Sequence, residues 1–180
     1  MPGNVGPFIT RHNTISRMIG HALASRGTPA EYEKKIIYFG KDKKKQPDHR
    51  PDVTYKMGTS EHYIDVTVCA VKQNGDYLKT ATKTKEKQYE AEDGTSLKNL
   101  HIVAFDNAGN MAAGVNSYLR SIGCNNALIK AMQVCILKAN EMCYKKVMCK
   151  VAEDLNTSRA RGTRNLITSP NQIDDMLALY

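Results

Sequence analysis

Residues 50–68 read R-P-D-V-T-Y-K-M-G-T-S-E-H-Y-I-D-V-T-V, and the rest of the predicted sheet is arranged around them. In the first arm Val53 and Tyr55 alternate with polar neighbours, and the second arm, from Tyr63 onward, is largely apolar. The segment Gly58–Glu61 between the arms is turn-forming, because glycine accepts positive φ and Ser and Thr hydroxyls bond to their own backbone. The pattern therefore predicts a β-hairpin.

Each arm of this hairpin carries one aspartate. Asp52 lies at the outer end of the first arm and Asp65 lies inside the second, so a moderate twist or a bulge would bring both carboxylates to one end of the sheet. Asp65 falls within the apolar run 63–71, where an ionised carboxylate is costly unless it is paired. A divalent cation would pair with it, and a lysine partner or a solvent-facing edge strand are the alternatives.

The composition indicates a globular protein that binds a polyanion. The chain has 180 residues, within the range of one domain, and a net charge of +8. A basic domain without an apolar run of membrane-spanning length usually binds nucleic acid, although solvated lysine faces are the alternative. Residues 1–7 lack the pattern of a secretory signal, so we expect no membrane partner and no secretion.

The cysteines favour a reducing compartment, the cytosol or the nucleus. There are five of them, an odd number, and none forms a Cys-x-x-Cys pair. This argues against both a zinc knuckle and a disulfide framework.

Hydrophobic periodicity and turn residues predict the remaining elements. We expect helices over residues 10–26, 78–92, 111–122, 126–151 and 171–179, and strands over 35–39 and 100–105 in addition to the hairpin. The order αβββαβ, followed by further helices, predicts a mixed α/β sheet with helices on its faces. We expect a flexible terminus over 1–9, a domain over 10–154, and a basic segment with a short helix over 155–180.

The helix predicted over 78–92 has little apolar content. Lys79, Lys83 and Lys87 are spaced by four residues and share one face of it. A helix this polar is either a solvated surface element or one that borders a charged ligand.

Four motifs in this order resemble the PD-(D/E)xK nuclease superfamily, most closely the restriction-like endonuclease domain of site-specific non-LTR retrotransposon proteins. They are Arg11-His12-Asn13 in the first helix; Arg50-Pro51-Asp52, twelve residues, then Asp65-Val66-Thr67; Lys85 four residues before Tyr89; and the Gly-containing turn and short helix of residues 108–123. Two positions depart from the family pattern. Thr67 stands where simpler members have lysine, and Gln88 stands where the family usually has a basic residue.

The resemblance implies a restriction-endonuclease-like fold and an endonuclease that nicks or cleaves DNA with Mg²⁺ or Mn²⁺, as in target-primed retrotransposition. It implies metal ligation by Asp52, Asp65, the Val66 carbonyl and Glu33 or Glu31. Lys85 or Lys87 would orient or deprotonate the water, and Tyr89 would bond the scissile phosphate or hold the lysine. The expected contacts to nucleic acid are Arg11, His12, Asn13, Lys79, Lys83, Lys87, Arg159, Arg161 and Arg164.

The resemblance also implies double-stranded DNA as partner, with RNA possible, a nuclear location, and a place in a longer polyprotein with a reverse transcriptase. Two other functions remain open. In a viral cap-snatching endonuclease His12 would be a metal ligand and the substrate would be RNA. In a non-catalytic basic module that binds nucleic acid, Asp52 and Asp65 would be structural.

Overall fold

The computed structural model describes residues 6–36, 49–72, 76–91 and 94–160, with side chains up to residue 153. The elements are α1 (Pro7–Ala24), β1 (Ala30–Tyr32), β2 (Val53–Met57), β3 (Ser60–Cys69), α2 (Tyr77–Gln88), β4 (Leu100–Asp106), α3 (Val115–Ser121) and α4 (Asn126–Ala160). The order αβββαβ followed by helices is confirmed. The chain divides into two compact units, one of residues 11–137 and one of residues 1–10 with 138–180. The sheet belongs to the first unit.

Within the described ranges the sheet is mixed and has four strands in the order β1-β2-β3-β4. β1, β2 and β3 pair antiparallel, whereas β3 and β4 pair in parallel. Met57 pairs with Ser60, so the hairpin turns on only two residues, and Gly58 takes the positive φ of 61° that this tight turn requires. The predicted hairpin is confirmed with a shorter turn than Gly58–Glu61, since Ser60 and Glu61 belong to β3.

Successive side chains of each strand point to opposite faces of the sheet. Helices cover both of these faces. Val53, Ile64, Val66, Val103 and Phe105 are buried in one core cluster with residues of α1, α3 and the first part of α4. The opposite face carries Asp65 and Thr67 of β3 and Asp106 of β4, and α2 contacts both strands. No helix in the described part of the chain is long and apolar enough to cross a membrane.

Several element boundaries differ from those that the sequence predicts. α1 begins at Pro7, so residues 7–9 are helical and not part of a flexible terminus. β1 lies at Ala30–Tyr32, earlier in the chain than the strand expected at 35–39, and within that expected stretch Ile36 forms an isolated bridge with His49. Residues 37–39 and the helix predicted at 171–179 lie outside the described residues.

The later helices also shift. α2 ends at Gln88, before the predicted end at 92. α3 starts only at Val115, because Gly114 before it has a left-handed φ of 82° that cannot continue a right-handed helix. α4 runs past residue 151 to Ala160, into the part of the chain where we predict the basic segment over 155–180.

The core cluster makes a direct prediction for stability. Leu119 on α3 is fully buried, so Leu119→Ala should lower the free energy of unfolding by about 2–5 kcal/mol through lost burial and the cavity left behind. Urea denaturation followed by circular dichroism measures it. Leu137→Ala is the control, since that side chain is 50% exposed and its loss should cost less than about 0.5 kcal/mol. Equal losses in both variants would contradict the assigned core.

Candidate active site

The hairpin register brings the two aspartates together. Val53 pairs with Ile64, so one step further along the same register Asp52 lies opposite Asp65. Both residues are equally far from the two-residue turn, and neither the bulge nor the extra twist expected from the sequence is needed. Asp52 Oδ2 accepts a hydrogen bond from the Val66 backbone N–H at 2.5 Å. Asp52 is 9% exposed and Asp65 is 4% exposed, so both carboxylates are buried.

Asp65 is held by two side chains from the end of α2. The Tyr89 hydroxyl donates a hydrogen bond to Oδ2 at 2.6 Å, and the Lys85 ammonium lies 3.1 Å from Oδ1. Burial raises the pKa of Asp65 and the nearby Asp52 charge raises it further, while Tyr89 and Lys85 act in the opposite direction. The Lys85 ammonium is the charged partner of buried Oδ1, and the second lone pair of that carboxylate oxygen can accept from another ligand.

His12 of α1 is part of the same site. Its Nε2 lies 3.0 Å from Asp52 Oδ2 and 3.1 Å from the Val66 carbonyl oxygen, and its Nδ1 lies 3.2 Å from Asn13 Oδ1. Both ring nitrogens therefore face acceptors, which suits a doubly protonated ring. The hydrogen bond to Asp52 is the main cause that raises the pKa of His12 to about 9. The sequence predicts His12 as a nucleic-acid contact; in the structure it neutralises Asp52.

The structure distinguishes the alternatives that the sequence left open. Lys85 reaches Asp65, whereas Lys87 is exposed and lies roughly 200° further round the helix. Glu33 lines a cavity of about 270 Å³ together with His12 and Asp52. Glu31 instead pairs with Lys34 on the exposed surface. Lys85 and Glu33 are therefore the better-placed candidates of each pair.

The predicted contacts to nucleic acid are less well supported. Arg11 is only 8% exposed, so its guanidinium is not on the surface where a backbone phosphate would meet it. Lys79, Lys83 and Lys87 are exposed, but Lys83 lies two residues, or roughly 200°, from Lys85, so this face points away from the aspartates. The side chains of Arg159, Arg161 and Arg164 lie outside the described residues.

The donor atoms suit a hard cation only in part. Among the described residues, no group of three or more His, Cys, Asp or Glu side chains is placed to hold a metal ion. Mg²⁺, however, keeps several of its waters and is often bound through one or two carboxylates. Asp52, Asp65 and the Val66 carbonyl supply three oxygens, and Asp65 Oδ1 has capacity to spare. A cation there would compete with the His12 proton for the Asp52 and Val66 oxygens.

Comparisons with known proteins add no family assignment. No protein-family model matches the sequence, and a search of curated proteins gives no significant match. The residues and their geometry are therefore what any assignment of function depends on.

The His12–Asp52 pair predicts how stability depends on pH. The pKa of His12 is about 9, above its ordinary 6.5, so the stabilisation is fully present below pH 6.5 and is lost as the pH rises through 9. The loss should be about 1–2 kcal/mol, allowing for solvent screening of a ring that is 33% exposed. Urea denaturation across this pH range measures it.

His12→Asn should remove the His12 part of this pH dependence, since asparagine has no charge to lose, while the thiols of Cys69 and Cys124, whose pKa burial raises, contribute equally in both proteins. His21→Asn is the matched control, because His21 is exposed on the same helix. The same slope in wild type and in His12→Asn would show that this ion pair does not stabilise the fold.

Proposed function

We propose that this protein is a metal-dependent endonuclease that hydrolyses phosphodiester bonds in DNA, a restriction-like member of the PD-(D/E)xK superfamily. One observation carries the proposal. Two buried aspartates lie opposite each other at the end of a hairpin, and a lysine from the neighbouring helix lies 3.1 Å from one of them. Two acids can hold a divalent cation, and a lysine beside them can stabilise developing negative charge; metal-assisted hydrolysis of a phosphodiester uses both functions.

The roles of the residues follow from their contacts. Asp52, Asp65 and the Val66 carbonyl would hold Mg²⁺ or Mn²⁺, with Glu33 as an outer acid beside them. When bound, the cation would activate a water molecule and neutralise charge on the phosphate. Lys85 would orient that water and offset negative charge as it develops. Tyr89 is a positioning residue, because its hydroxyl fixes the orientation of Asp65.

The fold supports the same proposal. A mixed sheet whose hairpin is followed by a helix and a parallel strand is the arrangement expected of a restriction-endonuclease-like αβββαβ core. The net positive charge of the chain suits contacts to the phosphates of a DNA backbone. We further propose that the domain acts in target-primed retrotransposition, in the nucleus and as part of a longer polyprotein with a reverse transcriptase.

Plasmid nicking tests the activity. Wild-type protein with Mg²⁺ or Mn²⁺ should convert supercoiled plasmid to the open-circular form, which agarose gels resolve. Asp65→Asn and Lys85→Met should each slow nicking by about 100-fold or more, because they remove an oxygen ligand and the charge beside the water. Lys87→Met is the matched control. It should change the rate by less than about threefold, since the charge that is lost is exposed and on the face that points away from the aspartates.

Two results would overturn the proposal. Nicking at an undiminished rate by Asp65→Asn would show that a contaminant cleaves the plasmid. Plasmid binding by the wild type without nicking in either metal would favour the non-catalytic basic module, with both aspartates structural.

One contact favours a second candidate, an RNA endonuclease of the cap-snatching type. His12 Nε2 lies 3.0–3.1 Å from two oxygens that would bind the cation, where a neutral imidazole could itself be a ligand. On the DNA endonuclease proposal the ring stays protonated and holds Asp52. The two functions thus differ in whether His12 competes with the metal or binds it.

Calorimetric titration with Mn²⁺ at neutral pH separates these roles. We expect His12→Ala to bind Mn²⁺ several-fold more tightly than wild type, because the competing proton is gone while the three oxygens remain. His21→Ala should bind as wild type does. Loss of Mn²⁺ binding in His12→Ala, together with faster cleavage of single-stranded RNA than of plasmid, would favour the RNA endonuclease.

A further inference from the structure

A groove of about 700 Å³ lies between the end of β3 and α2, beside the Lys85–Asp65 ion pair. Thr67, Cys69 and Ala70 line it from the strand. Residues of α2 that recur every three or four positions line it from the helix, namely Tyr77, Thr80, Ala81, Thr84, Lys85 and Gln88. Its volume falls within the range of ligand sites, about 300–1,000 Å³.

Two tyrosine hydroxyls hold this groove open. Tyr77 at the start of α2 donates to Asp106 at 2.8 Å, and Tyr89 just after its end donates to Asp65 at 2.6 Å. None of the 12 residues of α2 is buried. The helix is therefore fastened to the sheet at both ends by long side chains, while small side chains in its middle leave space above β3.

The support at Asp106 is rigid. This side chain is fully buried and accepts hydrogen bonds of 2.8 Å from the backbone N–H groups of Ala108 and Asn110, from the Asn110 side chain and from Tyr77. Burial raises its pKa, but these four donors hold the pKa of Asp106 below its ordinary value. A carboxylate so completely satisfied acts as a fixed anchor, so the groove is a built feature and not a packing defect.

The walls of the groove select a ligand with a flat apolar body and an anionic group. The Thr80 and Thr84 hydroxyls donate to the carbonyls of Asp76 and Thr80 within the helix, so their methyl groups and accepting lone pairs remain available to a ligand. Ala81 adds a further apolar surface. Lys72 and Lys85 supply positive charge, against Asp76 in the lining and Asp65, which pairs with Lys85.

We propose that the groove receives one unpaired nucleotide of the strand to be cut, with its base against the threonine and alanine wall and a phosphate near Lys85. This inference rests on the proposed nuclease function, since the groove opens beside the candidate metal ligands. A base stacked within a duplex is covered on both faces by its neighbours, so it must leave the stack before it can lie against the wall of this open groove, and extruding it costs a few kcal/mol. The substrate at the cut site is therefore single-stranded or locally opened.

Binding in EDTA tests the groove without cleavage. Fluorescence anisotropy would compare a short fluorescein-labelled oligothymidine strand with its blunt duplex. Wild type should bind the single strand at least about tenfold more tightly, because a paired base must first be unstacked. Ala81→Phe and Thr84→Phe fill the groove and should each weaken single-strand binding by about tenfold or more.

Glu86→Phe is the matched control. Glu86 is exposed like Thr84 but lies roughly 200° further round α2, so the same aromatic side chain there leaves the groove open and binding unchanged. Thermal unfolding by circular dichroism checks that each variant is folded. Wild-type binding by folded Thr84→Phe, or duplex binding as tight as single-strand binding, would overturn the inference. A protein that never nicks plasmid can still pass this test, so the two proposals fail separately.

Discussion

Two carboxylates are buried opposite each other at the end of the β2–β3 hairpin. The rest of the structure depends on the neighbouring helices supplying partners for them. Repulsion between Asp52 and Asp65 and the loss of their hydration would together be costly without compensation. α1 supplies His12 to Asp52, and α2 supplies Lys85 and Tyr89 to Asp65. Because the partners come from opposite faces of the sheet, the aspartate pair links both layers of helices to the hairpin. The helices that pack on the sheet therefore also supply the groups that compensate the charges of the two aspartates.

On the proposed function, His12 has a role in the cation-free protein. Its N–H contacts the same two oxygens, from Asp52 and Val66, that a divalent cation would use. The protonated ring thus keeps these oxygens in place and compensates the Asp52 charge until a cation replaces it. Lys85 differs, because it pairs with Asp65 and carries positive charge toward the groove. The site combines one cation that competes with the metal and one that can act beside it.

α2 explains how a very polar helix can pack on a sheet. It buries none of its residues, and hydrogen bonds from Tyr77 and Tyr89 to sheet aspartates replace the apolar stripe that usually fixes a helix. Its lysines divide accordingly between two surfaces. Lys85 points to the sheet, while Lys79 and Lys83 face solvent on the far side. One side of this helix is therefore solvated, and the other lines the groove beside Lys85.

Local pattern in the sequence determined the hairpin, the element order, the mixed sheet and the pairing of Lys85 and Tyr89 with one helix end, because these depend on periods of two or 3.6 residues and on turn chemistry. Counting from a two-residue turn at Gly58 would also have placed Asp52 opposite Asp65. Only tertiary structure decided the role of His12, since its contact with Val66 spans 54 residues and no period relates them. It also decided that Arg11 is buried and that a groove remains between α2 and the end of β3. Such features depend on how separate elements pack, which no local spacing encodes.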